Sequence, residues 1–212
     1  MRLAELSERS GVPSATIKYY LREGLLPPGN RLSATRADYG EGHLRRLGLV
    51  RALIQVGRVP VTTAREVLAA VDDDSLDHHM RLGAAAWAIP HGAEPDPADP
   101  VTEAARGTAD ELLERLGWTF GRGAGADSPA YRMLVEAISA MRRLGYPCDV
   151  AELLPYARSA GEVASADLDL TERYEREEEQ VEAAVALTVL YEPVLLSLRR
   201  LAQAEESYRR YT

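Results

Sequence analysis

Cysteine is nearly missing from this 212-residue chain, with Cys148 standing alone. One thiol excludes an intrachain disulfide and a multi-cysteine metal site, and an iron–sulfur cluster needs about four. No run of about 18 apolar residues is present, so no transmembrane helix is expected. The chain enters a helical pattern at Leu3 without an apolar signal region, which argues for a cytoplasmic protein. Strand-type alternation is absent from the second half, and there is no internal repeat. Phe120–Gly125 is glycine-rich but lacks the lysine and Ser/Thr of a phosphate loop, so it reads as a flexible connection. The four histidines are scattered, and Glu175, Glu177, Glu178 and Glu179 suit a solvated helix rather than an acid/base pair. No catalytic residue, metal site or cofactor is expected, and no enzyme is expected on those grounds.

What is present is distributed unevenly. A hydrophobic fraction of 46% is ample for a buried core. The net charge of -8 divides sharply: residues 1–70 hold 11 basic and 6 acidic side chains, and the remainder hold 14 and 27. A head of +5 on a body of -13 is the pattern of a protein whose head alone touches phosphates. The acidic body would be repelled by DNA, which directs the head toward it.

The periodicity divides the chain into 1–71, a connection at 72–100, and 101–212. In the first part, Leu3–Ser10 and Ser14–Glu23 are paired helices joined at Gly11-Val12-Pro13. Leu25–Tyr39, with Pro27, Pro28 and Gly29, reads as a short hairpin or wing. Glu41–Val56 is a third helix stopped by Gly57, and Thr63 with Glu66 forms a capping box for a fourth over 64–71. Asp72–Asp74 with Asp77, His78 and His79 reads as a cap and hinge, since adjacent histidines point apart on a helix. Leu76–Ile89 is a fifth helix, and four prolines in residues 90–100 make that stretch a linker. Helices follow from Thr102 to Leu116, from Ser128-Pro129 to Gly145, from Asp149 onward, and over Thr171–Leu190 and Val194–Tyr211, separated or kinked at Pro193. Residues 181–201 are apolar on almost every side, as for a core or a subunit interface. The fold class is therefore mainly α.

Ala15, Lys18, Tyr19 and Arg22 recur at i, i+3, i+4 and i+7, so they share one face of the second helix. Ile17, Tyr20 and Leu21 fall toward the other side. A short helix that is apolar behind and basic-aromatic in front, delivered by a glycine-containing turn, is what a major-groove reader requires. A merely solvated helix surface is the plain alternative; the adjacent wing and the charge division weigh against it. Arg45, Arg46 and Arg51 lie on a helix exterior and are expected to face solvent.

The strings LSERSGVPSATIKYYLREGLLPP, ATRADY and HLRRLGLVRAL occur in the order and spacing of the MerR family of transcriptional regulators, which residues 1–71 resemble. The resemblance implies a winged helix-turn-helix head, a dimerisation helix after it, and here an all-helical C-terminal domain. It implies double-stranded DNA as partner, in the form of a pseudo-palindromic operator. It also implies a homodimer, and an indirect action on RNA polymerase by bending and untwisting a promoter whose spacer is too long. Ser14, Thr16, Lys18, Tyr19 and Arg22 are then expected at the major groove, with Arg31, Arg36, Tyr39 and Arg58 at phosphates. Ala15 stands where the family often has arginine, and Arg36-Ala37-Asp38-Tyr39 is one residue longer than the usual arginine-to-tyrosine spacing. Tyr20 reads as core. Leu76–Ile89 is the expected dimerisation helix.

The paired thiolates of a metal sensor are missing, so a small organic effector is the expected trigger. Trp118, Tyr131, Tyr146, Tyr156 and Tyr191 are the candidate ligand residues, although aromatics of this kind also build ordinary cores. The alternative is a C-terminal domain that only dimerises or binds another protein.

Overall fold

The computed structural model describes residues 1–33, 36–87, 96 and 98–211. Ten α-helices and one two-stranded hairpin occur among them, so the fold is mainly α, as the periodicity predicts. The chain forms two compact units: residues 1–89 with 171–212, and residues 90–170. This division differs from a head, a linker and a body of 101–212, because the last helix packs with the head. The proline-rich stretch read as a linker lies largely outside the described residues.

Unit 1 begins with α1 (Leu3–Ser10) and α2 (Ser14–Arg22). Gly11 between them takes φ +66°, a left-handed conformation that glycine adopts without steric cost. Pro13 then sets the extended entry into α2. β1 (Asn30–Ser33) and β2 (Arg36–Asp38) pair antiparallel, with Asn30 opposite Asp38 and Arg31 opposite Ala37. The third helix is regular only over α3 (Glu41–Arg51) and widens into a π-turn at Ala52–Val56. α4 (Val61–Val71) starts three residues earlier than a Thr63/Glu66 box would place it, because Pro60 presets the entry and no side chain caps it. α5 (His78–Trp87) follows, held to α4 by the buried Arg81, which donates 2.6 and 3.2 Å bonds to the Val71 carbonyl.

α10 (Glu177–Tyr211) is one continuous helix through Pro193, not the two that the proline suggests. Its first half completes the core of unit 1: Val181, Val185 and Val189 join Leu6, Ile17, Leu47, Leu53 and Val67 in one cluster. Gly57 lies so close to α10 that an added Cβ would stand 2.5 Å from Val189 Cγ1. α10 also corrects the expectation about apolar runs, since by length and composition it could cross a membrane. Val181, Val185 and Val189 in it are buried in the core of unit 1, whereas Val194 is exposed.

Unit 2 contains α6 (Pro100–Leu116), α7 (Thr119–Ala124), α8 (Pro129–Arg143) and α9 (Val150–Thr171). Asp99, rather than Thr102, caps α6 by accepting from the Val101 N–H, and Ser128 caps α8. The glycine-rich segment around Phe120 forms α7 rather than a loop. The core joins Ala105, Ala109 and Leu113 to Tyr131, Val135, Ile138 and Cys148.

Candidate nucleic-acid interface

The face of α2 is built as its spacing requires. Ile17 and Tyr20 are 0% and 4% exposed, and burial pushes the Tyr20 hydroxyl pKa up. Burying the Ile17 side chain stabilises the helix on its support by about 1.5–3 kcal/mol. Ala15, Lys18 and Arg22 are exposed, with Ser14, Thr16 and Tyr19 half-buried beside them. The Arg22 guanidinium lies 5.5 Å from the centre of the Tyr19 ring, within cation–π range, so the two side chains form one preset surface. The first-turn N–H groups at Ser14 have no helical acceptor and suit a phosphate.

Several arginines, exposed themselves, tie this helix and its turn to the rest of the head. Arg65 of α4 donates to the Glu23 carbonyl at 2.8 Å and to its carboxylate at 3.1 Å, clamping the end of α2. Arg51 donates at 3.0 Å to the Ser10 carbonyl, holding the turn between α1 and α2. Arg9 grips Glu41 with bonds of 2.6 and 3.0 Å, and that guanidinium holds the Glu41 carboxyl below its ordinary range. These partners lie 32 to 42 residues away in sequence, so no local spacing announces them.

The wing places Arg31 on β1, exposed. Arg36 is the first residue of β2, and its side chain lies outside the described part. Tyr39 is a correction: its ring is 7% exposed and packs edge-on against His43, 5.1 Å between centres, so it belongs to the core rather than to a phosphate contact. Arg58 is exposed with φ +56°, a strain of about 1–3 kcal/mol for a non-glycine residue.

Arg45 and Arg46 are also corrected, for they do not face solvent. Arg46 is 8% exposed and pairs with Asp72 and, at 3.3 Å, with Glu182 of α10. Arg45 lies 3.1 Å from Glu179 and 3.6 Å from Glu182. Burial pushes the Glu182 carboxyl up, while the two arginines pull against that shift. Arg45 and Arg46 are thus engaged by α10, and a cavity of about 360 Å³ beside them is lined by both, with Asp72, Asp74, Arg81 and Glu182 among its other residues.

The five candidate ligand aromatics sit in different environments. Tyr131 is buried and donates a 2.8 Å bond to Asp110, with burial pushing its hydroxyl pKa far up. Trp118, Tyr146 and Tyr156 are exposed, and Tyr191 belongs to unit 1.

A basic-aromatic helix presented by a tight turn, with a two-stranded wing beside it, defines a winged helix-turn-helix regulator. Comparison with known proteins specifies which kind. The MerR HTH family regulatory protein model matches residues 1–71. HTH-type transcriptional regulator ZntR homolog of Haemophilus influenzae is 38% identical over 50 residues, 24% of this chain and 37% of its own length. HTH-type transcriptional regulator AdhR of Bacillus subtilis is 30% identical over 57 residues, covering 27% and 41%. The chain spans well under half the length of these curated relatives. The crystal structure of the "putative transcriptional regulator SCO5550" from Streptomyces coelicolor A3(2) is similar over 100% of this chain and 98% of that one, at 60% identity and a TM-score of 0.87. The chain belongs to the MerR family of transcriptional regulators.

Proposed function

We propose that this protein is a cytoplasmic regulator that binds a pseudo-palindromic operator as a homodimer and acts on RNA polymerase through the shape of the promoter. The observation that carries the reading is the α2 face, where Lys18, Arg22 and Tyr19 stand outward on a helix clamped at both ends. Lys18, Tyr19 and Arg22 read the groove, with Ser14 and Thr16 at its edge. Arg31, Arg36 and Arg58 anchor phosphates, as shape-based control requires. Tyr39 supports the wing from beneath.

Control of this head by a small organic ligand in the helical body is the finer part of the proposal. The exposure of Trp118, Tyr146 and Tyr156 and the engagement of Tyr131 by Asp110 favour a second reading, in which unit 2 is an interaction module without an effector. A thermal-shift screen of metabolites and antibiotics separates the two, because a ligand that binds only the folded state raises Tm.

Selection of genomic DNA by the purified protein, followed by footprinting, tests the core claim. A protected pseudo-palindrome is expected, weakened by Tyr19→Ala and by Arg36→Ala. The absence of any preferred site, or binding indifferent to both substitutions, would sink it.

A further inference from the structure

The outward face of α2 has a centre line. Ile17 and Tyr20 mark the buried side of the helix. At about 100° per residue, Ala15 and Arg22 each lie roughly 170° from the midpoint between those two. Lys18 and Tyr19 stand about 50° to either side of the outward line, and Ser14 and Thr16 about 90–110° from it. The exposure follows this order: Ala15, Lys18 and Arg22 are exposed, while Ser14 and Thr16 are half-buried. Ala15 and Arg22 are therefore the residues aimed most directly away from the head.

Of the two, only Ala15 lies in the first turn of α2. A recognition helix meets base edges with its N-terminal residues, so the floor of the groove faces Ala15. Arg22 stands about 10 Å further along the axis, its guanidinium over the Tyr19 ring. The side chain of Ala15 has no donor or acceptor to offer. It presents one methyl group, and its small size lets the helix backbone come close to the bases. Among base edges in the major groove, thymine alone presents a methyl group in return. Lys18 follows about 4.5 Å along the axis, against about 3.4 Å between stacked base pairs. No hydrogen bond or ion pair engages Lys18 among the described residues, which leaves its ammonium for the O6 and N7 acceptors of a guanine.

We propose that Ala15 is a specificity-determining residue that reads the C5-methyl group of a thymine in each half of the operator, with Lys18 on a guanine of the adjacent base pair. The assignment rests on the DNA-binding reading above and adds to it the base that the centre of α2 selects. Recognition at that point is apolar, although the face as a whole is basic.

DNA selected by the purified full chain supplies the site, and base analogues then test it one group at a time. Deoxyuridine in place of each thymine in turn removes only the methyl group. One thymine in each half is expected at which this weakens binding about fourfold, the worth of one buried methyl group. Ala15→Gly should bind the thymine and uracil duplexes equally. Ala15→Ser, which spares the helix the cost of a glycine, should lose the preference as well. Replacing the adjacent guanine by 7-deazaguanine removes its N7 acceptor, which should weaken the parent but not Lys18→Ala. That variant should keep its sensitivity to the methyl group. A site at which no thymine methyl matters, a preference that survives both Ala15 substitutions, or a methyl effect lost in Lys18→Ala would each overturn the proposal and leave a sequence-specific regulator standing. The absence of any preferred site would overturn the regulator reading and the proposal together.

Discussion

Both units are helical, yet they are held together differently. The core of unit 1 draws large aliphatic side chains from Leu6 to Val189, nearly the whole length of the chain. That of unit 2 is local, between Ala105 and Cys148, and brings α6 to α8 over alanines. The first arrangement fixes a surface: long-range packing and the Arg65, Arg51 and Arg9 clamps leave α2 little freedom. The second packs Ala105 and Ala109 of α6 against Tyr131, Val135 and Ile138 of α8 and leaves Trp118, Phe120, Tyr146 and Tyr156 exposed. The long-range arginine clamps are thus found around α2, the helix proposed to enter the groove.

The strongest way to break this comparison is Ile17→Ala. Emptying the space beneath α2 should cost about 2–5 kcal/mol and lower hydrogen-exchange protection throughout unit 1, while α6 and α8 keep theirs. Equal loss in both units would show that they unfold as one.

A smaller effect is expected from Gly57→Ala, whose Cβ would meet Val189 at 2.5 Å and the Leu53 carbonyl at 3.0 Å. Overpacking of this kind costs about 1–3 kcal/mol. Because the tighter contact is with α10, Val189→Ala should recover part of the loss, so that the double variant is more stable than the two single effects predict. Strict additivity in denaturant titrations would separate α10 from the head.

On DNA, Lys18→Ala should reduce the slope of log affinity against log salt by about one. Arg158→Ala, an exposed change in unit 2, should leave that slope alone; equal effects would deny the head its special charge.

The smallest effect concerns acid. The Arg143 guanidinium, with the Val101 N–H, holds the Asp99 carboxyl below its ordinary 3.8. As pH falls, the unfolded chain takes up this proton first. The contribution to unit 2 is thus complete above about pH 4 and lost as pH drops through the folded value. Asp99→Asn keeps an N-cap and removes the titration, so the urea midpoint of unit 2 should vary less between about pH 5 and 3. An unchanged pH profile would refute the Asp99–Arg143 link.

The local features were legible. The turn at Gly11, the exposed Lys18 and Arg22 with the half-buried Tyr19 between them, and the buried Ile17 and Tyr20 follow from turn chemistry and a 3.6-residue period read over one helix. What misled most were residues whose neighbours come from far along the chain. Arg46 looks like a surface group until Glu182 of the last helix pairs with it. Pro193 looks like a break in a chain whose last helix runs straight through it. The signals for Arg65 and Arg51 as clamps are absent from local sequence, because each partner is a backbone carbonyl more than 40 residues away.

The sequence by itself therefore determined the head: its helices, its turn, its wing, and which side of α2 carries cations, since each depends on periodicity and turn chemistry within a few residues. It also placed an apolar surplus at 181–201. Only the tertiary structure decided how that surplus is divided, with Val181, Val185 and Val189 in the head's own core and Val194 to Leu201 exposed. Periodicity names the faces of a helix, but which face is buried depends on what the rest of the chain brings against it.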